Sequence, residues 1–146
     1  MDAWDVNENS LQKLRQIIQS EQIDNIQVQQ RDLNADPSIT GRYDFICCTV
    51  VMMFLKAQTV KPLIAQMQQA TVPGGYNLIV CAMDTLDIPA QADFPFAFKP
   101  GELSALYKGW NIVKYNENVG ELHRVDAQGN RIKQHFATLL AQRVEV

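Results

Sequence analysis

Two apolar, β-prone runs with a helical stretch between them constrain this chain more than any other feature. Tyr43-Asp44-Phe45-Ile46-Cys47-Cys48-Thr49 reads as a strand opened by an acidic turn. Pro73-Gly74-Gly75-Tyr76-Asn77-Leu78-Ile79-Val80 reads as a turn feeding a second strand. The first run is nearly all apolar, as a strand buried on both faces should be. Between the two, Val60, Leu63, Ile64 and Met67 recur at helical spacing, with Thr59 placed to cap the helix. Parallel strands need a crossover of this kind, so the unit is strand, helix, parallel strand. Val72-Pro73-Gly74-Gly75 closes the helical region, because proline breaks a helix and glycine accepts φ > 0. The second strand is predicted over 76–83.

The flanking segments extend the same pattern. Asp2-Ala3-Trp4-Asp5 reads as the tail of a strand ending in a carboxylate. Asn7 or Asn9 caps a helix whose apolar positions are Leu11, Leu14, Ile17 and Ile18. Ile26-Gln27-Val28-Gln29 alternates as a short strand, and Arg31-Asp32-Leu33-Asn34 turns away from it. Residues 84–99 have no clear period and hold Phe94-Pro95-Phe96-Ala97-Phe98, a loop with large anchors. A helix over about 101–107 and a strand over about 110–116 follow. Leu122 to Val125 and Ile132 to Leu140 then flank Asp126-Ala127-Gln128-Gly129-Asn130, a strong turn signal. The predicted fold is a single α/β domain with a parallel sheet finished by an antiparallel hairpin.

Composition removes several function classes. At 146 residues the chain can bury roughly 68–70% of its unfolded surface in one core. A net charge of −3 with scattered basic residues leaves no footprint for nucleic acid and no polybasic face for a membrane surface. No apolar run approaches the ~18 residues that would span a bilayer. Cys47, Cys48 and Cys81 all fall in apolar strand-like runs and are expected to be buried small hydrophobes. They have no metal-ligand or CxxC spacing, and no His/Cys/carboxylate cluster suggests a metal. An odd number of such thiols fits a reducing compartment, so the expected location is cytoplasmic.

The phrase "YDFI…PGG" resembles the fourth and fifth strands of class I S-adenosylmethionine-dependent methyltransferases, a Rossmann-like fold ending in an antiparallel hairpin. Dinucleotide dehydrogenases, by contrast, keep their last strands parallel. Further phrases narrow the resemblance: Asp2-Ala3-Trp4-Asp5, Thr49-Val50-Val51-Met52-Met53-Phe54-Leu55, Phe94-Pro95-Phe96-Ala97-Phe98, Gly120-Glu121-Leu122-His123-Arg124 and Asn130-Arg131-Ile132-Lys133. Together they are similar to the TehB-like family of bacterial tellurite-resistance methyltransferases along the whole chain. The resemblance implies methylation of tellurite and selenite, and of other small soft nucleophiles, with S-adenosyl-L-methionine as cofactor and S-adenosylhomocysteine as product. Family members carry an N-terminal helix, a first strand and a glycine-rich loop for which this chain shows no counterpart. The chain therefore resembles the C-terminal two-thirds of the family protein, through truncation, cleavage or an alternative start.

The same resemblance assigns the site. In open α/β sheets ligands bind beyond the carboxyl ends of the strands. Asp5, at such an end, would accept from both ribose hydroxyls; its alternative role is an acid at a helix N-terminus. Asp32 and Leu33 would meet the adenine, although an Asx-turn explains Asp32 equally well. Thr49 and Val50 would line the methionine side, or simply pack at a strand end. His123, Arg124 and Arg131 would form the acceptor or catalytic group. Arginine suits multidentate oxyanion recognition and histidine can add a donor near neutrality. If 126–130 form the loop, Val125 faces Arg131 and His123 shares the face of Arg131 diagonally. Arg124 then points to the other face unless a bulge re-aims it. Glu121 or Asp126 could instead neutralise the arginines, leaving a solvated edge. The Phe94–Phe98 loop is expected to combine a water-excluding lid with at least one structural ring, and His135 to be structural or on the surface.

Two other readings stand beside the oxyanion methyltransferase. One is a non-catalytic folded fragment; the other is a methyltransferase for another small acceptor such as a thiol. If the first strand is missing, the strand over 43–49 has a bare apolar edge, favouring self-association or cover by a displaced segment. The strand at 26–29 should then also lose its usual neighbour.

Overall fold

The computed structural model describes residues 1–145, and its strands fall into two sheets, one in each of two compact units, Met1–Ser38 and Ile39–Val146. In the first unit, β1 (Asp2–Asp5) and β2 (Gln27–Gln30) pair in parallel, from Asp2 opposite Gln27 to Asp5 opposite Gln30. The short first strand thus suffices to keep β2 paired, contrary to the expected loss of its neighbour. The crossover is α1 (Glu8–Ser20). Asn7 caps it as its sequence position predicts, its side chain accepting from the amides of Asn9 and Ser10 at 2.9 and 3.2 Å. Leu11 is the buried residue of the apolar stripe, whereas Ile17 stays exposed.

The second unit holds the order β3-β4-β6-β5. β3 (Tyr43–Thr49) runs parallel to β4 (Thr71–Ala82) through α2 (Ala57–Ala70). β6 (Arg131–Gln142) lies antiparallel to both β4 and β5 (Asn111–Val125). A short 3₁₀ turn, Met52–Phe54, leads from β3 into α2, and α3 (Glu102–Ala105) precedes β5.

Several boundaries depart from the sequence reading for identifiable reasons. Lys56, not Thr59, is the N-cap of α2; Thr59 lies inside the helix and is buried. The Pro73-Gly74-Gly75 turn is absorbed into β4, because the backbone finds partners on the β6 side. Gly74 donates to the Arg143 carbonyl and Arg143 donates to that of Gly75. On the β3 side the same residues bulge: Tyr43 faces Thr71, yet Phe45 already faces Tyr76. A side chain at Gly75 would put its Cβ 2.8 Å from the Asp44 carbonyl oxygen, so the bulge requires glycine there. The predicted strands over 110–116 and 122–125 are one long strand, β5, because β6 runs beside both. The helix predicted to Tyr107 shrinks to α3, entered through Gly101 at φ 74°.

The core lies on one face of this sheet. Ile79 and Cys81 of β4 face Leu139 and Ala137 of β6, and all four are fully buried. Met52, Met53, Val60, Leu63, Ile64 and Met67 supply further core side chains. A polar thread is buried among them. Thr71 donates to the Met67 carbonyl and lies 2.7 Å from the Asn77 Oδ1 oxygen, and the Asn77 amide donates to the Tyr107 hydroxyl at 2.9 Å. The alternate positions are more open. Phe45 of β3 is 52% exposed and Cys47 is exposed too, so β3 is not buried on both faces and Cys47 is not a core residue. As expected, β3 forms one edge of its sheet.

Candidate active site

The candidate residues sit where strands end. In the first unit, Asp5 closes β1 and Asp32 follows β2, so the two exposed carboxylates stand at the same ends of neighbouring parallel strands. One oxygen of Asp5 accepts from the Asn7 amide at 2.9 Å, tying it to the start of α1. Asp32 accepts from the Asn34 amide at 2.9 Å, the Asx-turn its sequence allowed. Leu33, next to it, is half-buried. Arg31 braces this end: its guanidinium lies 4.1 Å over the Trp4 ring and donates to the carbonyls of Asp36 and Ser38. The fit to a nucleoside cofactor rests on these two carboxylates, each oriented by a backbone N–H and each open to solvent.

In the second unit, Thr49 ends β3 and Val50 follows it with φ 58°, a left-handed conformation that is strained for a β-branched residue. The Val50 amide still donates to the Val80 carbonyl at 2.8 Å, so the ladder continues through the strained residue. Both side chains are exposed. Strain held at the carboxyl end of a parallel strand is the arrangement found where a backbone is shaped to a ligand.

The loop after β4 is an ordered structure. Met83 bridges to Phe98, which is buried and meets Phe96 edge-on, so Phe98 is the structural ring. Asp84 ion-pairs with Lys99 and accepts from the Ala90 amide, and these hydrogen bonds hold its carboxyl below the usual range. Half-buried His135 on β6 places Nδ1 2.8 Å from the Thr85 hydroxyl, pinning the start of the loop. Gln134 beside it is fully buried, donating to the Met83 carbonyl while its Oε1 has no hydrogen-bond partner among the described residues.

The hairpin carries the acceptor candidates. Val125 faces Arg131 as the register argument predicts, with Asp126 accepting from the Gln128 and Asn130 amides to close the loop. A bulge is present: residues 122–124 stand opposite Ile132 alone, between the pairs Glu121–Lys133 and Val125–Arg131. The arginines then diverge. Arg124 reaches the post-β4 loop, donating to Asp93 at 2.8 Å with its guanidinium 5.4 Å from the Phe94 ring centroid. Phe94 in turn meets the Phe54 ring edge-on at 5.4 Å. Arg131 stays within the hairpin, donating to the Leu122 carbonyl at 2.9 Å with Glu121 at 3.7 Å. It lines an open depression of about 660 Å³ with Lys133, flanked by Glu121 and Asp126. His123 is exposed, and its side chain has no described hydrogen bond or ion pair.

Sequence reading missed Asp93 and Phe54 as partners of this group. Asp93 lies 31 residues from Arg124 in a segment without period, so no local pattern pairs them. Among the described residues no group of three or more His, Cys, Asp or Glu side chains is disposed to hold a metal ion.

A parallel strand–helix–strand unit closed by an antiparallel hairpin is the class I methyltransferase arrangement. The structure of the N-methyltransferase NodS from Bradyrhizobium japonicum WM9 in complex with S-adenosyl-L-homocysteine shares that fold. It has a TM-score of 0.68 and 16% identity, covering 99% of this chain and 66% of that one. The family described as tellurite resistance protein TehB matches residues 1–140, and the chain belongs to that family. The probable S-adenosyl-L-methionine-dependent methyltransferase TehB of Haemophilus influenzae (strain 10810) is 48% identical over 141 residues. The crystal structure of TehB from Haemophilus influenzae superposes with a TM-score of 0.92 at 47% identity, covering 97% of this chain and 49% of that one. The chain thus spans about half the length of the curated relatives it matches, where two-thirds was expected.

Proposed function

We propose that this chain contributes acceptor-binding and cofactor-binding residues to an S-adenosylmethionine-dependent methyltransferase acting on small oxyanions, tellurite and selenite. Family membership supports the reaction class. The observation that carries the acceptor class is the contact chain Phe54–Phe94–Arg124, which ties a guanidinium on the hairpin to the turn that follows β3. A methyl acceptor must lie beyond such a strand end, and a planar cation there selects an anion.

The cofactor, when bound, supplies a methyl group activated on a sulfonium. Asp5 and Asp32 of the first unit would hold its nucleoside through hydroxyl and amine donors, with Leu33 against the adenine. Arg124 would hold the acceptor oxygens, leaving the chalcogen lone pair free to attack, with Arg131 and His123 as further donors on the same hairpin. Transfer of this kind depends chiefly on positioning and water exclusion, with little proton transfer. The Phe94–Phe98 loop provides that exclusion.

The test is the formation of S-adenosylhomocysteine by the purified chain with S-adenosylmethionine and selenite. Arg131→Ala should lower kcat/KM about tenfold or more, the effect of losing a charge-assisted hydrogen bond. A wild-type rate in Arg131→Ala would favour another acceptor such as a thiol. No product from the unaltered chain would leave it a folded, non-catalytic member.

A further inference from the structure

The two contacts of Arg124 with the post-β4 loop differ in kind. Against Phe94 the guanidinium rests on a ring that itself packs perpendicular to Phe54, an arrangement no anion competes for. Against Asp93 it makes a single hydrogen bond, Nη1 to Oδ1 at 2.8 Å, between side chains 45% and 60% exposed. A carboxylate is itself a planar oxyanion, so it takes the donor that an acceptor anion would need. Because the contact is single and solvated, a second anion offering two oxygens to the same fork can replace it.

We propose that Asp93 is a specificity-determining residue that competes with the acceptor for Arg124. Phe94 keeps the guanidinium aimed while the Asp93 carboxylate is exchanged for the incoming oxyanion. This rests on the reading of Arg124 as an acceptor-site residue. Asp93 is charged at neutral pH, as an exposed aspartate is, and its hydrogen bond from Arg124 holds its carboxyl below the usual range. An anion that binds arginine no better than a carboxylate is thereby discriminated against, and one that binds bidentately is admitted. The other arginine has a weaker version of the same arrangement, with Glu121 3.7 Å from Arg131.

The experiment is calorimetric titration of the full chain with selenite, in the unaltered protein, Asp93→Asn, Arg124→Gln and the double variant. Asparagine keeps the shape and one acceptor oxygen but removes the charge. Asp93→Asn should tighten selenite binding about 1.5- to 5-fold, the range set by an exposed ion pair. Arg124→Gln should weaken binding, and in the double variant the gain from Asp93→Asn should vanish. If Asp93→Asn weakens binding, or tightens it equally without Arg124, Asp93 is a loop anchor or a remote charge and the proposal falls. If Arg124→Gln leaves binding unchanged, or if the unaltered chain takes up no selenite, the acceptor-site reading itself fails, and the proposal with it.

Discussion

The two faces of the four-stranded sheet are written in the same alphabet and end in different surroundings. Ile79, Cys81, Ala137, Leu139 and Ala141 form a face that is fully closed. Phe45 and Cys47, at alternate positions on β3, are exposed, and their partners Tyr76 and Leu78 are only half-buried. In sequence Phe45-Ile46-Cys47-Cys48 is as apolar as Asn77-Leu78-Ile79-Val80. What separates them is cover: α2 and the 3₁₀ turn contribute eight buried side chains. An apolar run therefore states what a strand can have packed against it, and only the tertiary structure states what it does have.

Thiol chemistry is the sharpest way to break that comparison. Burial pushes the Cys48 thiol up to about 12, and the thiol of fully buried Cys81 is raised as well, again chiefly by burial. Cys47 is exposed. At neutral pH a rise of about three pKa units removes ~10³-fold of the reactive thiolate. Alkylation followed by peptide mass analysis should therefore label Cys47 alone in the native chain; rapid labelling of Cys81 would mean that the closed face is not closed. A stability contrast follows. Ile79→Ala should cost about 2–5 kcal/mol in urea unfolding, since it opens a cavity in a filled core. Phe45→Ser should stay within about 0.5 kcal/mol of the unaltered chain. Equal losses from the two substitutions would contradict the difference between the faces.

Much of the fold was legible because it is local. The Asn7 cap, the crossover from β3 to β4, and the Val125–Arg131 register across a loop closed by Asp126 are each set by residues a few positions apart. The glycines of the Pro73-Gly74-Gly75 bulge were legible as turn residues, but not as part of β4, because their partner is Arg143 at the far end of the chain. The length of β5 was hidden for a similar reason: Gly120 and the bulge at 122–124 interrupt the alternation, and β6 carries the strand across both. Among the candidate site residues, the arginines and the strand-end acids were readable as residue types. Their pairing was not. The divergence of Arg124 toward Asp93 and Phe94, and of Arg131 toward Leu122 and Glu121, depends on the path of a loop without period. Val50, ordinary in sequence, became notable only through its φ of 58°.

The proposed function stands on cofactor binding beside Asp5. Calorimetric titration with S-adenosylhomocysteine tests it most directly. The expected result is a saturable heat that is lost in Asp5→Ala, because that carboxylate stands at the end of β1, where the nucleoside is proposed to lie. The absence of heat at millimolar ligand, or a heat unchanged in Asp5→Ala, would contradict it.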